Sequence, residues 1–216
     1  MSPIGTRHII IGCGAQCKYV LDIFSKTGAK AEAILDPIGK RAGGQINGIP
    51  IRRFDPEEIR ELLKDERRAV IIGVSDNHLK MELFNLLAPL AEIDNAIHPA
   101  GVISSLATVG RGVIINAGAV IQPFAAIGNG VMVHAGVIVE HDNRIADFVN
   151  LAPGVTLAGG VSVGQGATIY SGTVVAPNVS IGAGTVVGAG SLVLQDLPDN
   201  IVAYGSPARI TEKKIG

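Results

Sequence analysis

Aliphatic residues recur at every sixth position through the second half of the chain. From Ile103 to Val193, sixteen consecutive positions spaced six residues apart carry Ile, Leu or Val. Four residues after each of them stands Ala, Val, Thr or Ser, except at Asn143 and Leu197. One large and one small residue in every six predict a short strand and a tight corner, with the aliphatic side chain pointing into a shared interior. The pattern therefore predicts a hexapeptide β-helix, in which stacking of the coils completes the core.

The first half of the chain follows a different pattern, in which strand-like and helix-like segments alternate. The predicted segments are a strand ending at Ile11, a helix over 15–27, a strand around 33–35, a helix near 56–64, a strand from Ala69 and a helix over 77–87. A polar, glycine-rich stretch, GKRAGGQINGIP, follows the second strand. This alternation predicts a small α/β domain with a parallel, Rossmann-like sheet. Because the alternation stops near 95–101, we assign residues 1–98 to the α/β domain and 99–216 to the β-helix.

Composition restricts the function classes. Aromatic residues are 4% of the chain and Gly is 28 of 216, which favours a repeat architecture. A formal net charge of −1 gives no general attraction to nucleic acid or to an anionic membrane. No stretch of 18 apolar residues and no signal-peptide pattern is present, so we expect a soluble, cytoplasmic protein. Cys13 and Cys17 fit neither a disulfide framework nor a four-ligand zinc site, and we interpret both as structural thiols.

Residues 103–198 resemble the left-handed β-helix of the hexapeptide acyltransferases. In that family three hexapeptides make one triangular coil, so eighteen residues separate equivalent positions on successive coils. Sixteen hexapeptides would make a little over five coils. The resemblance covers the whole second half of the chain and implies transfer of an acyl group.

Charge is almost absent from the predicted β-helix except at one place. Residues 112–139 and 148–195 contain no Lys, Arg, Asp or Glu, whereas the segment EHDNRIAD begins at Glu140. Asn143 in this segment also interrupts the small-residue pattern, which suggests that function overrides the repeat here. His141 is a candidate general base near neutral pH. Gly159, one coil later, could offer a backbone N–H to the developing oxyanion of a thioester carbonyl.

The segment VIVEHDNRIADFVNLAPGVTLAGGVSVG resembles the motif of the bacterial sugar-nucleotide acetyltransferases. These include bacillosamine and perosamine N-acetyltransferases and sialic acid O-acetyltransferases. The resemblance implies that His141 is the base and that Asp142 assists it. Relatives commonly carry an acetyl-CoA-contacting His nine residues after the base, where this chain has Asn150, whose amide can also donate a hydrogen bond.

The same resemblance implies that acetyl-CoA is the cosubstrate and that it runs along one column of the β-helix. Eighteen-residue spacing places Pro153, Ser171 and Ala189 in that column. Relatives bind CoA between neighbouring subunits of a trimer, and the segment 204–209 resembles their C-terminal G-x-P-A-R/K motif. In a monomer, the uncharged faces of the β-helix would be exposed apolar patches, so we expect a homo-oligomer that covers them.

A glycine loop after the first strand is the candidate substrate site. Its backbone N–H groups and the helix N-terminus that follows can face a phosphate. The relatives hold a nucleotide sugar in this domain with a G-x-G-G-H loop, where this chain has Gln16 in place of the His. Asp36 could bind the ribose or the base, or could be a turn residue before Pro37. The predicted substrate-binding residues are Gly12, Gly14, Ala15, Gln16, Asp36, the turn Ser75, Asp76 and Asn77, and His134, which could contact the acceptor sugar.

The combined hypothesis is an acetyl-CoA-dependent N-acetyltransferase that needs no metal and acts on the amino group, at C4, of a nucleotide-linked amino sugar. Direct attack of the amine on the thioester needs no covalent enzyme intermediate. Three alternatives stay open: O-acetylation of a sugar such as a sialic acid, a metal-dependent β-helix hydro-lyase of the carbonic anhydrase type, and a non-catalytic binding β-helix. The nucleotide stays open among UDP, GDP and dTDP. His98 is interpreted as part of a structural I-H-P hinge.

Overall fold

The computed structural model of the protein describes residues 6–65 and 67–213. The chain divides into two compact units, Met1–Ala96 and Ile97–Gly216. Within the described residues, no helix is both long and apolar enough to cross a membrane.

The N-terminal unit is a five-stranded sheet with three helices. Its elements are β1 (Arg7–Ile11), α1 (Ala15–Thr27), β2 (Lys30–Asp36), β3 (Gln45–Ile46), β4 (Ile49–Arg53), α2 (Pro56–Leu62), β5 (Arg68–Ile72) and α3 (Asn77–Leu87). The strand order is β3-β4-β2-β1-β5, and all neighbours are parallel except the hairpin β3–β4. Strands β1 and β5 are buried from their second residue to their last and end in aliphatic residues, as expected for a parallel sheet covered on both faces.

Local signals in the sequence fix the ends of the helices. Gly28, with φ of 80°, terminates α1 in the left-handed conformation that glycine adopts without strain. Asp55 accepts hydrogen bonds from two N–H groups at the start of α2, and Asp76 accepts one from the N–H of Leu79 at the start of α3. The turn 75–77 therefore has a structural function at the end of a parallel strand.

The C-terminal unit is a left-handed parallel β-helix of very short strands. These strands are β6 (Ala96–Ile97), β7 (Val102–Ile103), β8 (Thr108–Val109), β9 (Ile114–Ile115), β10 (Val120–Ile121), β11 (Ala126–Ile127), β12 (Met132–Val133), β13 (Ile138–Val139), β14 (Arg144–Ile145), β15 (Asn150–Leu151), β16 (Thr156–Leu157), β17 (Ser162–Val163), β18 (Thr168–Ile169), β19 (Val174–Val175), β20 (Ser180–Ile181), β21 (Val186–Val187) and β22 (Leu192–Val193). Two longer strands, β23 (Ile201–Gly205) and β24 (Ala208–Lys213), follow.

Every third strand of the β-helix pairs with the strand one coil later, which produces three parallel sheets. Ile121 pairs with Val139, for example, eighteen residues on. One sheet runs from β7 to β22, a second from β8 to β20, and a third from β6 through β21 to β23 and β24. The aliphatic residue of each hexapeptide points inward, and together these residues form a single continuous core. The predicted fold class, an α/β domain followed by a left-handed β-helix, is confirmed.

Candidate active site

His141 and Asp142 lie together at an exposed corner of the β-helix, between β13 and β14. The Nδ1 atom of His141 is 2.8 Å from Oδ2 of Asp142, and about 60% of each side chain is exposed (61% and 62%). Because an ionised carboxylate can only accept a hydrogen bond, Nδ1 is the donor in this pair, and in the neutral ring Nε2 is then the nitrogen with a lone pair. Asp142 has φ of 62°, a left-handed conformation that Asp tolerates better than most residues. This arrangement is the one that a general base needs, with one ring nitrogen held by a carboxylate and the other available to a ligand.

Gly159 lies against the imidazole ring of His141, one coil further on. A Cβ atom added to Gly159 would lie 2.6 Å from Cε1 and 2.7 Å from Nε2 of His141. The Gly159 carbonyl accepts from the N–H of Asn178 at 3.0 Å. Its own N–H donates to no acceptor within residues 6–65 and 67–213. The missing side chain of Gly159 therefore leaves room for the ring of His141.

Asn143, which follows the pair, points into the interior of the β-helix and is 0% exposed. Its Oδ1 accepts from the N–H of Val161 at 2.5 Å, and its Nδ2 donates to the carbonyl of Leu157 at 3.4 Å. The interruption of the repeat at this position is thus a buried polar side chain with both ends hydrogen-bonded. The sequence pattern identified this position as unusual, but it did not predict that the side chain points inward.

Of the residues predicted to bind acetyl-CoA, Gly159 lies beside His141, whereas Asn150, Ser171 and Ala189 lie on a different face and corner of the triangular coil. Asn150 begins β15, in the sheet that runs from β6 to β24, and its Oδ1 is buried with no hydrogen-bond partner among the described residues. Ser171 and Ala189 occupy the corner between β18 and β19 and its equivalent one coil later. One chain therefore brings Ser171 and Ala189 into one column, but not to the corner of His141.

His134 belongs to this second corner, directly after β12. It is 8% exposed, and its Nδ1 is 3.5 Å from Nδ2 of Asn116, one coil earlier. The sequence interval of seven residues between His134 and His141 places the two side chains on different corners of the same chain. A contact between His134 and the acceptor sugar stays a prediction.

A cavity of about 250 Å³ lies in the N-terminal unit. It brings together seven of the nine predicted substrate-binding residues, namely Gly12, Gly14, Ala15, Gln16, Asp36, Ser75 and Asp76. The loops after β1 and β5 approach closely here, because a Cβ atom on Gly12 would lie 2.5 Å from the carbonyl oxygen of Gly73. Gly12 also has φ of 107°, so glycine is required for two reasons. Asn77 and His134 do not line this cavity.

The Asp36 carboxylate is almost fully occupied by the loop that follows it. Oδ1 accepts from the N–H of Ile38 at 3.0 Å and Oδ2 from the N–H of Arg41 at 2.7 Å. Burial raises the pKa of Asp36, but these N–H groups outweigh burial and hold the pKa below its usual value. This geometry favours the turn-residue interpretation of Asp36, in which the carboxylate shapes the wall of the cavity.

Two cations that the sequence analysis did not select also line this cavity, Lys40 and Arg41. Arg41 donates from Nη1 to the carbonyl of Cys13 in the glycine loop at 3.1 Å. The cavity thus combines a helix N-terminus with two positive side chains, which suits a phosphate-containing ligand. The available signal was the pair of basic residues in GKR, immediately after the predicted turn.

The two cysteines are free and buried beside this loop. Burial raises the pKa of the Cys13 thiol, and the nearby Asp36 carboxylate raises it further. Burial also raises the pKa of Cys17 to about 12. Both thiols therefore stay protonated near neutral pH, as packing groups do. In the described part of the chain, no group of three or more His, Cys, Asp or Glu residues is arranged to hold a metal ion.

Comparison with known families matches both units. Residues 7–87 match the family described as PglD N-terminal domain, and residues 160–195 match the bacterial transferase hexapeptide family (six repeats). No curated protein sequence matches the chain.

Solved structures resemble the chain over nearly its whole length. The H141A variant of GDP-perosamine N-acetyltransferase from Caulobacter crescentus, in complex with CoA and GDP-perosamine, is 35% identical with a TM-score of 0.89, and the match covers 98% of this chain and 99% of that one. The acetyltransferase domain of PglB from Neisseria gonorrhoeae FA1090, in complex with acetyl coenzyme A, is 26% identical over 96% of this chain and 100% of that one, with a TM-score of 0.86. WeeI from Acinetobacter baumannii AYE, at 23% identity and a TM-score of 0.78 over 95% and 100% of the two chains, shares the fold.

Proposed function

Since this chain belongs to the bacterial sugar-nucleotide acetyltransferases with a left-handed β-helix, we propose that it acetylates the amino group at C4 of a nucleotide-linked amino sugar, with His141 as the general base. Acetyl-CoA is the cosubstrate. The observation that carries the proposal is the exposed His141–Asp142 pair, whose ring lies against the side-chain-free Gly159. A 35% identical relative crystallised with CoA and GDP-perosamine supports an amine rather than a hydroxyl as acceptor.

The proposed reaction uses these three groups in one step of addition and one of elimination. The Nε2 atom of His141 takes a proton from the amine as its nitrogen attacks the thioester carbonyl, and a C–N bond forms. The N–H of Gly159 donates to the developing oxyanion. Collapse of the tetrahedral intermediate breaks the C–S bond, and His141 returns the proton to the departing thiolate of CoA. Asp142 holds the Nδ1 proton and stabilises the imidazolium that forms between the two steps.

Each unit has a separate part in this proposal. The α/β domain, residues 1–98, holds the nucleotide in the cavity beside Gly12 and Gly14, where Lys40 and Arg41 offer positive charge to the diphosphate. The β-helix domain, residues 99–216, carries out acetyl transfer. Since acetyl-CoA and nucleotide sugars are both cytoplasmic compounds, the proposal places the reaction in the cytoplasm.

A homotrimer explains why the predicted CoA contacts and the base lie on different corners of one chain. In a three-fold assembly the His141 corner of one copy can face the corner of Ser171 and Ala189 on the next copy. Acetyl-CoA would then lie between subunits, with Asn150 donating to the acetyl carbonyl. Sedimentation equilibrium is expected to give three times the chain mass of 22.3 kDa, and a stable monomer with full activity would contradict this arrangement.

The proposal is tested by replacing His141 with Ala and measuring CoA thiol release with a panel of UDP-, GDP- and dTDP-linked 4-amino sugars. Loss of the general base is expected to lower kcat by roughly 100-fold or more, with little change in either KM. The control is His78→Ala, because His78 is an exposed histidine on α3, 76% accessible at its side chain. Turnover by His141→Ala within about tenfold of the unchanged enzyme would refute the proposed base. A product that hydroxylamine cleaves would be an ester and would refute N-acetylation.

A further inference from the structure

Asn143 is a buried polar side chain at a position of the β-helix core that aliphatic residues occupy in the adjacent coils. The equivalent residues one coil before and one coil after it are Ala125 and Val161, and all three are buried. Burying an amide group is unfavourable unless hydrogen bonds replace those it made to water. Ala or Val would satisfy the core at this position, so packing alone gives no reason for the amide.

The two hydrogen bonds of Asn143 reach the two ends of one turn. Oδ1 accepts from the N–H of Val161 at 2.5 Å, and Nδ2 donates to the carbonyl of Leu157 at 3.4 Å. The turn between these residues is Ala158-Gly159-Gly160. A side chain from the preceding coil therefore bridges the turn from inside the β-helix.

Several turns of the β-helix close through a main-chain hydrogen bond across the turn. The N–H of Val137 donates to the carbonyl of His134, and the N–H of Val155 donates to that of Ala152, both at 3.3 Å. At the equivalent position after Leu157, the side chain of Asn143 takes the N–H of Val161 instead. In this turn a buried side chain thus adds to the main-chain bonds of the repeat and binds the N–H at the end of the turn.

The turn bridged in this way is the one that faces the base. A Cβ atom on Gly159 would lie 2.6 Å from the His141 ring, and Asn143 is two residues after His141 on the adjacent coil. The Gly160 N–H also donates to the His141 carbonyl at 3.0 Å. One buried amide therefore links the segment that carries the base to the segment that carries the Gly159 N–H.

We propose that Asn143 is a positioning residue for acetyl transfer, which holds the N–H of Gly159 in register with Nε2 of His141. This inference rests on the proposed function, since the two groups need a fixed spacing only if they act on one reacting carbonyl. Asn143 itself touches neither substrate, because it is fully buried in the core. Displacement of a reacting group by about 1 Å can lower a rate 100-fold, so a small shift of the turn is sufficient.

The test compares Asn143→Ala with a matched variant, Thr185→Ala. Thr185 is also 0% exposed in the β-helix core, and its hydroxyl donates to the carbonyl of Pro198 at 2.6 Å, far along the chain from His141. Both variants remove a buried hydrogen-bonding group, so both are expected to lower the Tm. Only Asn143→Ala is expected to lower kcat, roughly 10- to 100-fold, with KM for acetyl-CoA unchanged within about twofold.

Asn143→Asp supplies the conservative rescue, because it keeps an oxygen acceptor for the N–H of Val161. Its kcat is expected to exceed that of Asn143→Ala by at least about fivefold. If Asn143→Ala does not fold, Asn143→Ser replaces it in the comparison, since the shorter hydroxyl cannot span the gap to Val161.

Two results would overturn the positioning function: a kcat of the Ala or Ser variant within about threefold of the unchanged enzyme, or an equal loss of kcat in Thr185→Ala. Full turnover by His141→Ala would instead overturn the proposed base. The two failures are therefore distinguishable.

Discussion

The contact between Gly159 and the ring of His141 makes Gly159→Ala a sharp test of the site. The added Cβ would lie 2.6 Å from Cε1 of the ring, against a normal contact of at least 3.4 Å, so the ring must move by about 0.8 Å. The φ of Gly159 lies outside the left-handed region, so Ala fits the backbone. Because the obstructing atoms belong to an exposed side chain, we expect the unfolding free energy to change by less than about 0.5 kcal/mol.

The effect on catalysis is expected to be much larger than the effect on stability. Movement of the base by nearly 1 Å predicts a roughly 100-fold lower kcat, or about 2.7 kcal/mol of transition-state free energy. The assay is release of CoA thiol under saturating acetyl-CoA, with Tm measured on the same preparations. In a His141→Ala background the clash is absent, so Gly159→Ala should have no further effect. Wild-type kcat in the single variant would refute the reasoning, and so would full additivity in the double variant.

Two further predictions concern stability. Burial lowers the pKa of Lys80 to about 8, whereas the pKa of an exposed lysine is 10.5. Between these two pH values the unfolded chain binds more protons than the folded chain. The free energy of unfolding therefore rises with pH from 8 to 10.5. Lys80→Met should abolish this rise and stabilise the protein by about 2 kcal/mol at pH 7, a value that allows for the lost hydrogen bond to Asn77. Urea denaturation measures both effects. The same pH dependence of stability in both proteins would contradict the prediction. Phe124 is 63% exposed and has φ of 64°, so Phe124→Asn should raise the unfolding free energy by about 1 kcal/mol. Phe124→Ala is the control, since Ala does not relieve the left-handed strain, and an equal gain from Ala would show that the backbone is not the cause.

The β-helix could be predicted from the sequence because each hexapeptide repeats one local rule. The inward direction of residues such as Val139 and Leu157 follows from their period alone, and the charged interruption at His141 stands out against the uncharged repeat. The hairpin β3–β4 was missed, although Asn47-Gly48 between two isoleucines is a strong hairpin signal. The polar, glycine-rich stretch around this hairpin contains no alternating pattern long enough to predict a strand.

The relation between candidate residues was harder to predict than their identity. Two side chains lie in one column only when they are separated by a multiple of eighteen residues. Asn150 is nine residues from His141, so the two occupy different sides of the coil. The sequence also did not predict the direction of the Asn143 side chain, since a polar residue at a small-residue position can face the core or be displaced from it. In the α/β unit, the turn after Asp36 folds back on its carboxylate and brings Arg41 to the glycine loop. The basic residues of GKR are a signal for positive charge near the cavity, but no local pattern predicts the contact between Arg41 and the Cys13 carbonyl.

The strand β24 has a consequence for how the protein behaves at high concentration. A stack of parallel coils ends in a row of unpaired N–H and C=O groups, which can template the addition of another chain. In the sheet that begins at β6, β23 extends the ladder in the parallel direction and β24 then reverses it. Because β24 occupies the edge of β23, a second molecule cannot continue the parallel ladder directly on β23. In this one of the three sheets, the reversal therefore hinders end-to-end addition of a second β-helix.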